Sequence, residues 1–463
     1  MTLDSMTEPL DVDGVLDNPR TRIVVCCGSG GVGKTTTAAA LGLRAAERGR
    51  RVVVLTIDPA RRLAQSMGID ELDNIPRRVP GIDGSAGGEL FAMMLDMKRT
   101  FDEIVEAHAD KDRARAILEN PFYQSLSAGF AGTQEYMAME KLGQLRARDE
   151  WDLIVVDTPP SRSALDFLDA PNRLGSFLDG TFIKVLMAPA KLGGRAGMKF
   201  LGVGMSVMSG PLNKLMGAQL LRDVQTFVAA MDTMFGGFRT RADATYRLLQ
   251  DPGTAFLVVA APERDALREA AYFVERLAAE RMPLAGLVLN RVHTSGAARL
   301  SAERALAAVE NLDGDGIVDR VGGQAASRTV DDPGTLAPTD LSSPESGFPQ
   351  PASSGVAAGV ASTVTTTDTT DQQHQSAPAD APAARLAAGL LRLHAERMQV
   401  LARERRTRDR FTALHPEVPV AEVAALPGDV HDLAGLRAIG ERLADRAGAG
   451  SARETDEDAP ARP

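Results

Sequence analysis

The feature that most constrains this chain is a glycine-rich octapeptide near its N-terminus. Its residues are Gly28-Ser29-Gly30-Gly31-Val32-Gly33-Lys34-Thr35. The short apolar run Ile23 to Cys27 precedes it, and a helical stretch from Thr36 to Arg48 follows. This order of strand, loop and helix is the context in which such a motif forms a phosphate-binding loop, or P-loop. The sequence therefore predicts an α/β domain organised around a phosphate site.

The residue types of the loop suit that chemistry. Glycines let the backbone turn tightly enough to point successive N–H groups at phosphate oxygens, and the dipole of the following helix favours negative charge. We expect Lys34 to bridge the β- and γ-phosphates. Thr35 is expected to hold Mg²⁺ through its hydroxyl, because Mg²⁺ prefers hard oxygen ligands. A glycine-rich turn without a ligand is the alternative. The predicted cradle comprises Gly28, Ser29, Gly30, Gly31, Val32, Gly33, Lys34, Thr35 and Thr36.

Two aspartates directly follow or end apolar runs that are typical of strands buried on both faces. Asp58 follows the run Arg51 to Ile57, and Asp157 ends the run that begins at Trp151. Doubly wound sheets bind ligands at the carboxyl ends of their strands. We therefore expect Asp58 to orient the attacking water beside the metal, and Asp157 to reach Mg²⁺ through water. A role as a helix N-cap is the alternative for Asp58.

A third candidate lies at the end of a later apolar run. Strands are predicted over residues 255–261 and 283–290, with a helix over 265–280 between them. Asn290 ends the second of these strands at the ligand edge. Its amide both donates and accepts hydrogen bonds, which suits the edge of adenine, whereas a turn-forming asparagine is the alternative.

Two long segments between the strands read as helical insertions, at about residues 90–150 and 163–250. The second contains a methionine-rich stretch, Met187 to Met216. Methionine at this density suits an adaptable apolar surface for a protein client or a membrane-associated partner. A loosely packed core or a mobile lid is the alternative.

The rest of the chain alternates between polar and ordered segments. Residues from about 313 to 382 are rich in Ser, Thr, Pro and Asp, which predicts a disordered acidic insertion. A charged helix is predicted over 385–410, a short strand over 418–420 and a helix near 433–443. The predicted organisation is a disordered tail over 1–20, an ATPase domain over 21–448 and a second disordered tail over 449–463.

Charge and cysteine usage narrow the class of protein. The formal net charge is -10, but the acidic excess is concentrated in residues 1–19, in residues 329–384 and in the C-terminal tail. The nearly balanced body has no basic footprint for nucleic acid.

Cys26 and Cys27 are adjacent on a predicted strand, so they face opposite sides and cannot pair with each other, which indicates a reducing compartment. With no apolar run near 18 residues, a cytoplasmic protein is expected.

These motifs resemble those of the ArsA-type anion-transporting ATPases, which include arsenite-pump ATPases and the eukaryotic ATPase that targets tail-anchored membrane proteins. The resemblance implies an α/β P-loop NTPase of the deviant Walker A type with an inserted α-helical subdomain, using ATP and Mg²⁺. It also implies a dimer that closes when ATP binds. Within the family, the chain looks most like the bacterial members that occur as pairs of unequal paralogues. Matching segments are the P-loop, Asp58-Pro59-Ala60 as switch I, Asp157-Thr158-Pro159-Pro160 as switch II, Pro262-Glu263 and Gly286 to Asn290 at the nucleotide, and Val418-Pro419.

Three departures shape the expected function. Ser29 stands where the family has a lysine that reaches the partner subunit's phosphates, so we expect a heterodimer with a lysine-bearing paralogue more than a homodimer. There is no Cys-X-X-Cys pair for a dimer-clasping zinc, and two cysteines cannot supply the three thiolates that As(III) needs. The expected function is an ATPase cycle that switches a helical surface for its partner, with peripheral membrane association left open. A weakly active regulatory subunit and a ParA-type surface-organising ATPase are the alternatives.

Overall fold

The computed structural model describes residues 8–57, 62–126, 133–159, 227, 237, 240–314 and 381–445. These residues are organised by one eight-stranded sheet. Its strands are β1 (Ile23–Gly28), β2 (Arg51–Thr56), β3 (Arg77–Arg78), β4 (Glu89–Met94), β5 (Leu153–Asp157), β6 (Thr254–Ala260), β7 (Leu284–Val292) and β8 (Val420–Ala424).

The strand order is β3-β4-β2-β5-β1-β6-β7-β8. Every neighbouring pair is parallel except β3 and β4. Sequential strands lie on both sides of β1, which is the doubly wound arrangement that places ligands at the carboxyl ends of the central strands. The predicted mostly parallel α/β fold is confirmed.

Helices connect and cover the strands, and residues 240–250 are also helical. Of the described residues, 299–314 and 381–398 belong to a unit of their own, within which Nε2 of His394 lies 2.8 Å from the carbonyl oxygen of Leu300. The helices are α1 (Val12–Asp17), α2 (Lys34–Glu47), α3 (Arg62–Ser66), α4 (Met97–His108), α5 (Lys111–Leu118), α6 (Pro121–Leu126), α7 (Thr133–Ala147), α8 (Arg264–Ala279), α9 (Ala302–Gly314), α10 (Ala381–Leu414) and α11 (Leu433–Ala444).

The sheet separates two apolar cores. One core contains residues from α1, α2 and α11, and the other contains residues from α4, α7 and α8. Cys26 belongs to the first core and Cys27 to the second, so the prediction that the two thiols face opposite sides is confirmed. Both are buried, and burial raises the pKa of Cys27 to about 12.

The prediction of a disordered tail over residues 1–20 is wrong for the part that the structure describes. Helix α1 is capped by the side chain of Asp11, which accepts a hydrogen bond from Gly14 N, and it buries Val12 and Leu16. The segment before it continues the sheet, because Leu10 N donates to Val420 O at 3.1 Å and Val420 N donates to Glu8 O at 3.2 Å.

Ion pairs explain why the acidic composition of this segment was misleading. Asp13 accepts hydrogen bonds from Nε and Nη2 of Arg44 at 2.6 and 2.8 Å, and Asp17 accepts one from Nε of Arg48 at 2.7 Å. The hydrogen bond from Arg44 lowers the pKa of Asp13. These acids therefore belong to the folded body, where they pair with Arg44 of α2 and with Arg48 just after that helix.

The prediction that residues from about 90 onward are helical is wrong for their first part. Glu89–Met94 is the strand β4, parallel to β2. Its Leu, Ala, Met and Glu residues favour helices locally, but pairing with β2 and burial of Leu90, Ala92 and Met93 decide the conformation. The helical part of the insertion begins at α4.

Other predicted boundaries shift by a few residues. Strand β7 continues past Asn290 to Val292, the last strand lies at Val420–Ala424, and α10 extends the predicted charged helix at both ends. Asp58, the methionine-rich stretch and nearly all of the acidic insertion lie outside the described residues, as do residues 446–463.

Candidate active site

The P-loop joins the end of β1 to the start of α2, and its glycines are required by close approaches of the backbone. Gly28 has φ 147° and Gly33 has φ 96°. A Cβ atom on Gly28 would lie 2.1 Å from the carbonyl oxygen of Val259, and one on Gly33 would lie 2.3 Å from Nδ2 of Asn290. Side chains at either position would push the loop away from β6 or β7.

The start of α2 is suited to an anion. Its N-cap is Gly33, which has no side chain to occupy the first N–H groups of the helix. Lys34 is buried, and its Nζ donates to the carbonyl oxygen of Ser29 at 2.8 Å. The ammonium group is thus held inside the loop, and its predicted phosphate-bridging role stays a prediction. Ser29 is also buried, and its hydroxyl makes no hydrogen bond within the described part of the chain.

A carboxylate at the end of β5 connects two other elements of the site. Oδ2 of Asp157 accepts hydrogen bonds from Oγ1 of Thr35 at 2.6 Å and from Oγ1 of Thr56 at 2.9 Å. Asp157 is fully buried and pairs in register with Cys26 and Thr56 on the two neighbouring strands. The hydroxyl and the carboxylate are hard oxygen donors, so these residues fit a site for Mg²⁺.

The chain after Asp157 is tied to the strand that carries the P-loop. Oγ1 of Thr158 donates to the carbonyl oxygen of Cys26 at 2.9 Å, and its backbone N–H donates to the same oxygen at 3.2 Å. The predicted switch II therefore begins beside the end of β1. Its continuation past Pro159 lies outside the described residues.

Sequence reasoning missed one residue at this edge. Nε2 of Gln134, in the first turn of α7, donates to the carbonyl oxygen of Ile57 at 2.9 Å. Ile57 immediately precedes Asp58, the predicted water-positioning residue, which lies outside the described residues. No local pattern distinguishes Gln134 from other polar helix residues, because the contact depends on how α7 packs against β2.

Asn290 reaches the P-loop from the other side of β1. Its Nδ2 donates to the carbonyl oxygen of Val32 at 2.8 Å, and its Oδ1 accepts from the backbone N–H of Arg291 at 3.0 Å. Asn290 therefore positions the loop, a role that sequence reasoning did not include. Its predicted contact with adenine stays a prediction. Pro262 is buried just before α8, and its predicted role at the nucleotide also stays a prediction.

The fold and this loop define a P-loop nucleotide-binding protein. A family model described as "Anion-transporting ATPase" matches residues 21–304. The chain belongs to this family and is an ATPase of the type that the sequence motifs resemble.

Curated relatives agree with this assignment at low identity. ATPase GET3 of Malassezia globosa is 29% identical over 36% of this chain and 47% of its own length. ATPase GET3 of Podospora anserina is 25% identical over 62% of this chain and 78% of its own length. ATPase ASNA1 homolog 2 of Paramecium tetraurelia is 24% identical over 60% of this chain and 78% of its own length.

Within the residues that the structure describes, no helix combines the length and apolar character needed to cross a membrane.

Proposed function

We propose that this chain is a Mg²⁺-dependent ATPase whose hydrolytic cycle moves its helical parts within a dimer. The observation that carries the proposal is the position of Asp157. Its carboxylate joins Thr35, at the start of the helix that follows the P-loop, to Thr56, two residues before Asp58. A change in what is bound at the metal site would therefore be transmitted to β2 and to the segment after it through the side chain of Asp157.

Each residue has a defined task in this proposal. The loop N–H groups and Lys34 bind the phosphates, and Lys34 exchanges the carbonyl oxygen of Ser29 for phosphate oxygens. Thr35 and Asp157 are the residues that would hold Mg²⁺, which when bound would neutralise charge on the phosphates. Asp58 positions the attacking water.

Base recognition is assigned to the opposite side of the loop. Asn290 uses one N–H of its amide on Val32 and accepts one N–H from Arg291, which leaves a second donor and a second lone pair for adenine. Pro262 is proposed to line the same end of the site. The buried position of both residues near the carboxyl ends of β6 and β7 supports this assignment.

The dimer is proposed to be a heterodimer. Ser29 carries no charge, so it cannot supply the cation that the family places at this position for the partner's phosphates. A paralogue with a lysine there would supply at least one such charge.

The second candidate function is that of a nucleotide-binding regulatory subunit with little turnover of its own, which the same serine favours. The methionine-rich stretch Met187 to Met216 is proposed to contact an apolar protein client or a membrane-associated partner.

The test is ATP turnover by the purified full chain with and without Mg²⁺, alone and mixed with candidate paralogues. We expect slow turnover alone, acceleration by a paralogue and complete loss in Lys34→Ala. The matched control is Lys98→Ala, which removes an exposed lysine on α4 that pairs with Asp102. Turnover that survives Lys34→Ala would exclude the P-loop from the reaction. ATP binding without turnover in any mixture would favour the regulatory subunit.

A further inference from the structure

Arg291 has an unusual backbone conformation for its place in the fold. Among the described residues, three non-glycine residues have positive φ: Asp149, Arg281 and Arg291. Asp149 and Arg281 follow α7 and α8, and their N–H groups donate to Arg146 O and Ala278 O. Left-handed residues are common at such helix ends. Arg291, with φ 62°, lies within β7, where no helix end explains it.

The position is a bulge in the sheet. Strands β7 and β8 pair Asn290 with Val423 and Val292 with Ala424, so Arg291 has no partner residue on β8. The side chain of Asn290 holds the bulge, since its Oδ1 accepts the N–H of Arg291 at 3.0 Å. Bulges redirect side chains and are frequent beside active sites. An unfavourable backbone conformation that its surroundings enforce is a reason to look for function there.

Arg291 also lies close to the P-loop. The same Asn290 side chain that accepts its N–H donates to Val32 O at 2.8 Å, so the backbone of Arg291 is two hydrogen bonds from the loop. The side chain of Arg291 is exposed, and it forms no ion pair or hydrogen bond with any described residue. A guanidinium group is therefore available at this edge.

The sheet order indicates which part of a nucleotide this group would meet. Thr56 and Asp157 lie on β2 and β5, on one side of β1, whereas Arg291 lies on β7, on the other side. If the triphosphate lies over the P-loop with its metal toward β5, the side toward β7 is left for the nucleoside. Arg291 is thus on the side of the base and away from the γ-phosphate.

We propose that Arg291 is a specificity residue that packs its guanidinium group against the base of the bound nucleotide. The inference rests on the proposed nucleotide site. A guanidinium group is planar and weakly hydrated, and it stacks on aromatic rings. The bulge aims this group, and Asn290 couples its position to that of the loop.

The experiment is calorimetric titration of the full chain with Mg²⁺ and either ATP or inorganic tripolyphosphate, which has no base. We expect Arg291→Ala and Arg291→Gly to bind ATP about threefold to thirtyfold more weakly, with binding of tripolyphosphate unchanged. Glycine adopts positive φ freely, so a loss in that variant reports the missing side chain and not a strained backbone. Arg281→Ala is the matched control, because it removes an exposed arginine at positive φ that lies just after α8.

Unchanged ATP affinity in Arg291→Gly would overturn the inference. An equal loss for ATP and tripolyphosphate would also overturn it, because the contact would then be to phosphate. If the wild-type chain binds neither ligand, the nucleotide site itself is wrong and the inference falls with it. The wild-type titration separates that failure from the other two.

Discussion

Thr35 and Asp157 are joined by a hydrogen bond of 2.6 Å, from Oγ1 of the first to Oδ2 of the second. The contact connects the first turn of α2 to the end of β5, and the same carboxylate oxygen also accepts the hydroxyl of Thr56. One buried side chain therefore links three elements at the carboxyl edge of the sheet.

Asp157→Asn should weaken the apparent affinity for Mg²⁺ in ATP turnover. Asparagine retains an oxygen that accepts the two threonine hydroxyls, but it removes the negative charge that supports the metal. We expect about 10- to 100-fold more Mg²⁺ to be needed for half-maximal turnover. The measurement is turnover against Mg²⁺ concentration, with Asp152→Asn as the control, since Asp152 lies just before the other end of the same strand. An unchanged Mg²⁺ dependence in a folded variant would remove Asp157 from the metal site.

Ser29→Lys should raise the turnover of the chain without a paralogue. The substitution supplies a cation at position 29, where the family has lysine, and we expect an increase of about tenfold or more. Ser29→Met is the control, because it adds a side chain of similar length without charge. Steady-state ATP hydrolysis at several protein concentrations is the measurement. The same increase in both variants, or none in Ser29→Lys, would refute the proposed role of this position.

Leu16→Ala should destabilise the whole domain, although it lies in an acidic N-terminal segment. Leu16 is fully buried between α1 and its neighbours, so its truncation should reduce the free energy of unfolding by about 2–5 kcal/mol. Urea unfolding measures the change, and Val15→Ala on the less buried side of α1 is the control. Equal stability of Leu16→Ala and wild type would mean that α1 does not dock in solution.

Asp13→Asn should lower stability in a pH-dependent way. The hydrogen bond from Arg44 lowers the pKa of Asp13 in the folded state below its unfolded value of about 3.9. Its contribution is therefore fully present above about pH 4 and is lost as the pH falls through the folded-state pKa. We expect the stability difference between wild type and variant to be largest at neutral pH and to vanish at lower pH. A difference that does not change with pH would show that the charge of Asp13 is not its source.

The two cysteines should be inert in the native protein. Burial raises the pKa of Cys27 to about 12 and that of Cys26 well above its ordinary value, so thiolate is scarce at pH 8. Iodoacetamide should label both thiols in urea and neither without it. Arsenite and antimonite should for the same reason leave ATP turnover unchanged. Rapid labelling of the folded chain, or robust activation by arsenite, would contradict this account.

Local patterns in the sequence were sufficient to predict an element wherever the residues of that element alone form the pattern. The octapeptide from Gly28 to Thr35 predicts strand, loop and helix together, because only glycine tolerates its positive φ values and close backbone contacts. The apolar runs that end at Ile57 and Asp157 likewise predict buried parallel strands. The opposite placement of Cys26 and Cys27 follows from the twofold period of a strand.

Tertiary packing decided the rest. Residues 89–94 favour a helix by composition, and they form a strand because β2 offers an unpaired neighbour. The acidic residues before Arg20 resemble a solvated tail, and they fold because Arg44 and Arg48 pair with them. The hydrogen bonds of Asn290 to Val32 and of Gln134 to Ile57 join positions far apart in the chain. The sequence by itself determined the P-loop and the buried parallel strands that carry it, whereas contacts between distant segments, which no local period encodes, determined how the edges of the sheet and the supporting residues are held.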